Sequence, residues 1–371
     1  MDNVEIFNCS QYDTMKGAIR FEGAKLGYSR VSNSAIHHGL GIAGYVTDSE
    51  NVELVNNNVY TFSRFGLVIT TSKNITFDGN WVSGIHNRGL KVKNGGDTQG
   101  VILVCALNAG DKCEDISIVN NIVSSLSPSN VDSAGYSAPA HECGNYNNAI
   151  FRDNIAHSIH GYGAIIYRNF FEPKSRECIE ASRFIAYKCV MVGIVSNQLT
   201  DNVAFTNMTL IDNGFSASAN VGVEGELQTA KLRNIRFYGE TEARECSSPD
   251  VCVDGWGRGC FEKNAIMPSS YANHHKDPLV STPPKCPQYK IKADASFGGV
   301  TTYENIQFIN FKSGKTYCGA EQRLIRLNRH NADYLPAVRF ISTRFEVIIF
   351  IIINILECRT RINCISLYST K

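Results

Sequence analysis

Histidine is the residue in this sequence with the widest range of possible chemistry, and its spacing is not random. His86 and His160 each stand six residues after an Asn that closes a recurring phrase, and His37 and His38 sit in a neighbouring, less regular stretch. If those registers hold in space, several imidazoles line one outer face, where they could ligate a metal or hydrogen-bond a sugar chain. The alternative is that each imidazole satisfies a carbonyl at a turn. Arg88 lies beside His86 and Tyr162 beside His160, while Trp256 is a ring that either stacks on a sugar or anchors its own loop. Polysaccharide cleavage needs paired carboxylates, or a carboxylate-bound cation with a base. Asp78, Arg88 and Lys91 are the charged groups nearest His86, but no Asp recurs at one repeat position, so no catalytic residue is assigned. No cofactor and no metal is expected either. The Gly-rich segment from Asp254 to Gly259 precedes no helical pattern and does not read as a phosphate-binding loop.

The elements that would position these groups are announced by a four-residue phrase: Asn, a small or β-branched apolar residue, any residue, a large apolar residue. It starts at Asn3, Asn51, Asn74, Asn148, Asn202, Asn234 and Asn305, with Asp115 as a variant. Alternate apolar positions make a half-buried strand, and a turn-forming Asn before each marks a bend. A second Asn follows at Asn57, Asn80, Asn121 and Asn154. Two residues later come Val59, Val82, Val123 and Ala156, and five residues later Phe62, Ile85, Leu126 and Ile159, which read as core columns. Nine residues later Gly66, Gly89 and Gly163 open a third strand, with inward pairs Leu67 and Ile69, Leu90 and Val92, Ala164 and Ile166. Three short strands per step of about 23 residues are one turn of a right-handed parallel β-helix, an all-β solenoid like that of pectate lyases. Such coils bury their interiors only by stacking, so the repeated Asn, Gly and aliphatic positions are packing positions. The Leu frame of a leucine-rich repeat is not present, and an antiparallel sandwich has no reason to keep a fixed step.

Where the step lengthens, loops must bulge from the stack. Insertions are expected near Gly95 to Cys113, over the segment SSLSPSNVDSAGYSAPAHECGNY, and in the long interval between Asn234 and Asn305. The expected layout is β-helix coils over 1–240, a Cys-rich insertion over 241–300, further coil over 301–345 and an aberrant tail over 346–371. The tail's apolar run from Val347 to Leu356 is too short for a helix spanning a bilayer; it reads as a gene-model artefact, or as a short buried strand.

Thirteen Cys lean the chain toward an oxidising compartment, and the odd count leaves a thiol over. The spacing of Cys246, Cys252, Cys260 and Cys286 is not that of a zinc module and suits disulfides that tie down the long loop. A formal net charge of +1 gives no reason to expect nucleic acid or an anionic membrane. Sequons at Asn8, Asn74 and Asn207 are candidate glycosylation sites, each at a position expected to point inward, and an inward side chain could not carry a glycan, so whether they are used stays open. The N-terminus begins inside a repeat and shows no signal pattern, which predicts a piece of a longer surface protein.

The ordered phrases SNSAIHHGLGI, NITFDGNWVSGIHNRGL, NIAHSIHGYGAIIY, YGETEA, KTYCGAEQ and NADYLPAVRF resemble the fibrocystin and fibrocystin-L family of large cell-surface proteins; the Cys-rich loop and YGETEA resemble its ciliate members. The resemblance runs to about Phe345. It implies an extracellular or cell-surface β-helix segment, without catalytic activity, whose loops meet a protein or glycan. Membrane attachment would come only through a segment outside this chain. Relatives of the same architecture associated with hyaluronan supply the alternative, a polysaccharide depolymerase, by analogy of fold alone.

Overall fold

The computed structural model describes residues 1–86 apart from 13 and 26, then 99–105, 112–127, 133–140, 149–167, 178–200, 202–222, 228–239, 241, 262–266, 269–271, 299–311, 321–325, 337–345 and 366–367. Over these residues the chain is a right-handed parallel β-helix, with every strand pairing parallel. One coil shows the plan: a first strand Ser72–Asp78, a second Trp81–Ile85 and a third Gln99–Val104. Its first two strands lie between those of the coils before and after, and its third pairs with Phe65–Thr70 and Ser133–Pro139. The first two strands of all coils form a 19-stranded sheet and the third strands an 11-stranded one.

The corners are built from residues that tolerate a left-handed backbone, where Asn and Asp are least penalised after Gly. Asn51, Asn74 and Asp115 take φ of 59°, 53° and 53° before the first strand's inward residues. Between the first and second strands Asn33, Asn56, Asn120, Asp153, Asn207, Asn234 and Asn305 do the same, with Gly79 and even Arg183 holding the place in two coils. The recurring four-residue phrase therefore marks two different corners. Asn51 and Asn74 open first strands, whereas Asn3, Asn234 and Asn305 open second strands, because the same left-handed residue followed by an inward apolar one suits either bend.

The residue after the middle corner points inward. Asn57, Asn80, Asn121 and Asn154 are 0–1% exposed, and each Oδ1 accepts the backbone N–H of the preceding coil's equivalent residue at 3.0–3.1 Å. Their Nδ2 groups donate to carbonyls of Val31, Leu54, Phe77 and Ile118. Buried amides so satisfied hold the register at a net gain of about 1 kcal/mol per bond. The columns expected to be core are core: Val59, Val82, Val123, Ala156, Phe62, Ile85, Leu126 and Ile159 are all buried. Larger rings fill the axis further on, including Tyr136, Phe151 and Phe184.

Third strands depart from the expected plan in one coil. Leu67, Ile69, Ala164 and Ile166 are buried as expected, but after Asn80 the inward residues are Ile102 and Val104, which pair with the levels of Leu67 and Ile69. Gly89, Leu90 and Val92 lie outside the described residues. The segment expected as the first insertion thus contains a regular strand, Gln99–Val104. The second expected insertion likewise contains regular strand, Ile122–Leu126 and Ser133–Pro139, because its Ser and small residues fit the outward and crowded positions of a coil. Gly66 is one such crowded position: a Cβ there would come within 2.3 Å of Val82 Cγ1 and 2.7 Å of the Val101 carbonyl. Within the tail, Ser366–Leu367 pairs parallel with Ala337–Ile341, and 347–356 lies outside the described residues.

Candidate functional site

The stack places the predicted histidines in two columns. The backbone N–H groups of His86, Ser127 and His160 bond to the carbonyls of Phe62, Ile85 and Leu126, so the three residues stand one above another. His86 and His160 are therefore two coils apart, roughly 10 Å, with Ser127 between them. His86 Nδ1 is 2.9 Å from Ser127 Oγ, which satisfies it locally. His160 is half-buried, and its Nε2 has no partner among the described residues.

His37 and His38 belong to a different place, the end of the strand Ala35–Gly39. His37 Nε2 lies 2.9 Å from Glu5 Oε1, and its Nδ1 lies 2.6 Å from His38 Nδ1. With Nε2–H donating to the carboxylate, His37 Nδ1 accepts a hydrogen bond from the Nδ1–H of His38, the tautomer that leaves His38 Nε2 with a lone pair. Glu5, His37 and His38 form a short proton relay. Among the described residues no group of three or more His, Cys, Asp or Glu could hold a metal ion.

Sequence reasoning missed the column in which His37 stands. Strand pairing aligns Phe7, His37, Tyr60, Ser83, Ser124, His157 and Tyr187 on the outer side of successive second strands. His37 lies flat between Phe7 and Tyr60, with ring centroids 5.9 and 4.6 Å away. His157 lies flat on Tyr187 at 4.6 Å and an interplanar angle of 1°. Burial pushes its pKa below the usual histidine range. Alongside runs a second outward column, Asn58, Trp81, Ile122, Ile155 and Ile185, in which Trp81 is 52% exposed and Ile185 36%. Outward aromatic and branched side chains in consecutive coils make a continuous apolar strip. The only signal for it in the sequence is the alternation within each second strand, and the partner rings come from coils 23 to 30 residues away.

Other predicted residues sit apart from this strip. Asn8, Asn74 and Asn207 are all exposed, contrary to the inward placement expected for them. Each takes the left-handed conformation, φ 54°, 53° and 56°, and a corner residue directs its side chain outward while its successor turns in. The Asn74 amide donates to Asn51 at 2.7 Å, and Asn207 accepts from Asn234 at 3.0 Å. Tyr162 is half-buried at the edge of an outer cluster with Ala134, Ile165 and Val192. Asp78 accepts from the Asn120 amide at 2.8 Å, a corner contact rather than a catalytic one. Arg88, Lys91, Trp256, Cys246, Cys252, Cys260 and Cys286 lie outside the described residues. A disulfide that the sequence reading did not foresee joins Cys105 to Cys113.

A family model described as the right handed beta helix region matches residues 1–110. No curated protein matches the chain. Among the described residues no helix is long and apolar enough to cross a membrane.

Proposed function

We propose that this chain is a non-catalytic, surface-displayed β-helix segment of a fibrocystin-like protein, and that it holds a glycan on the outer side of its second strands. The observation that carries the reading is the apolar strip itself. Trp81, Ile122, Ile155 and Ile185 present branched and aromatic surface beside Tyr60, His157 and Tyr187, on a rigid sheet where ordering costs little on binding. The ordered phrases of the sequence support the fibrocystin-like assignment, and the Cys105–Cys113 bridge supports an oxidising compartment. A depolymerase is the second reading, favoured by the Glu5, His37 and His38 relay, which gives one outward base. That relay sits at the far end of the strip from Tyr187, and among the described residues no second carboxylate is hydrogen-bonded into it.

Incubation of the chain with a panel of neutral and acidic polysaccharides, followed by sizing of the polymer, tests both. The expected result is co-elution of at least one polymer with the protein at unchanged chain length, weakened by Trp81→Ala. Shortened polymer would favour the depolymerase, and no co-elution with any polymer would remove the glycan reading.

A further inference from the structure

The sequon at Asn74 faces out of the stack, away from the second strands. Ile75 is fully buried, so the alternation that turns it inward turns Asn74 and Thr76 out. One N–H of the Asn74 amide donates to Asn51 Oδ1 at 2.7 Å, and the other makes no hydrogen bond among the described residues. Asn74 and Thr76 line a surface cavity of about 350 Å³ together with Gly27, Tyr28, Asn51 and Glu53. That is the lower end of small-ligand sites, and suits one sugar ring better than a chain.

Strand register explains how the cavity is closed. Ser29 pairs with Val52 and Val52 with Ile75, so the residues before them, Tyr28, Asn51 and Asn74, share one corner in successive coils. Tyr28 is two rungs, roughly 10 Å, from Asn74 along the stack. Its hydroxyl donates to Glu53 Oε2, which Arg30 also meets at 3.7 Å. The ring is thereby held as an end wall, while Tyr28 stays 61% exposed. A Cβ at Gly27, φ +91°, would meet nothing within 4 Å, so the approach beside the ring is open.

Resting on the reading that the chain is displayed at a surface, and so passes through a glycosylating compartment, we infer that Asn74 carries an N-linked glycan whose first N-acetylglucosamine lies in this cavity against Tyr28. The co-reactant is a lipid-diphosphate-linked oligosaccharide. Asn74 Nδ2 bonds to the sugar's anomeric carbon as the bond from that carbon to the diphosphate oxygen breaks; the diphosphate leaves with the electron pair and the amide proton is lost to base. The modified amide keeps one N–H, which is all that its bond to Asn51 uses. A C–H face of the sugar suits the Tyr28 ring, and its hydroxyl and acetamide groups suit the Asn51 amide and the Glu53 carboxylate.

Secretion of the full chain from mammalian cells behind a cleavable leader exposes it to glycosylation whatever its natural destination. The outcome therefore bears on Asn74, while locating the protein in its own cells decides the display reading separately. Release of glycans by peptide N-glycosidase in heavy-oxygen water marks each occupied Asn as a heavy Asp in peptide mass spectra. The mark is expected at Asn74 in most molecules and absent there in Thr76→Val; an unmarked Asn74 in the secreted parent overturns the inference. For the seat, isotope-labelled glycans are trimmed to a single N-acetylglucosamine and observed by NMR. The sugar signal lost in Thr76→Val is expected to be moved upfield by the Tyr28 ring in the parent and to return to its ordinary position in Tyr28→Ala. A signal at the same position in both overturns the seat and leaves the attachment standing.

Discussion

His157 lies flat against Tyr187 and is partly withdrawn from water, so a proton on its ring is disfavoured and burial is the cause. The sign of the resulting pH dependence is fixed. Above about pH 6.5 an unfolded histidine is neutral and the stack stands at full strength. As the pH falls through that value the unfolded chain takes up a proton before the folded one, and stability declines until the folded ring is protonated too. Partial exposure keeps the effect to a fraction of what full burial would give. His157→Phe keeps a ring on Tyr187 and removes the titration. The loss in melting temperature between pH 7 and pH 5 is expected to be smaller in the variant; an equal loss in both proteins would show that the imidazole contributes nothing to it. At this scale the sequence was clear for inward residues and opaque for outward ones. Asn57, Asn80, Asn121 and Asn154 announce themselves because each coil needs the same amide at the same buried place. His157 and Tyr187 meet face to face only because their coils are stacked, and nothing local marks either ring as half of a pair.

The corner after the third strand shows how one element solves the same problem twice. In two successive coils a serine hydroxyl folds back on the chain: Ser49 Oγ donates to the Thr47 carbonyl at 2.8 Å, and Ser72 Oγ to the Thr70 carbonyl at 2.6 Å. One coil later Cys105 bonds through its N–H to the Ile69 carbonyl, above Thr70, and Cys113 pairs with Ser72. The disulfide closes the corner that the hydroxyl closed before. A bridge across a separation of eight residues restrains the unfolded chain by about 2.5 kcal/mol in the loop-entropy account. Cys105→Ser with Cys113→Ser is therefore expected to lower the unfolding free energy by about 2 kcal/mol in urea. A variant as stable as the parent would mean that the strand ladder alone holds the corner. This bridge was hidden in the sequence because Cys105 and Cys113 straddle an insertion, and their equivalence to Thr70 and Ser72 appears only once Ile102 is aligned with Leu67. The same ambiguity put a third strand at Leu90 and Val92: a Gly at the expected spacing is weak evidence when an insertion can precede the strand.

At the scale of the whole molecule, the strand pairing of each coil is with the coils next to it, and contacts that reach two coils away, such as Tyr136 with Phe184, are few among the described residues, so stability is close to a sum of coil terms and nearest-neighbour terms. Phe77 is fully buried and its strand level is bounded by Leu54 in one neighbouring coil and Ile118 in the other. Phe77→Ala opens a cavity worth about 3–5 kcal/mol at such a site. In a globular domain with a single core that loss would lower protection everywhere. In a solenoid the opening stays local, because coils beyond the nearest neighbours lose no contact. Hydrogen exchange of the full chain is expected to speed up over Glu50–Val55, Ser72–Asp78 and Cys113–Val119, while Asn202–Ile211 and Gln228–Tyr238 keep their protection. Equal acceleration in the distant strands would mean that the stack unfolds as one cooperative unit. The distinction bears on the binding strip, which runs from Tyr60 to Tyr187 across five consecutive coils. Local coupling would let the strip around Trp81 loosen when its own coils are weakened, yet remain indifferent to changes beyond them, so a Phe77→Ala protein should lose polymer co-elution while a comparable cavity at Phe308 should leave it intact.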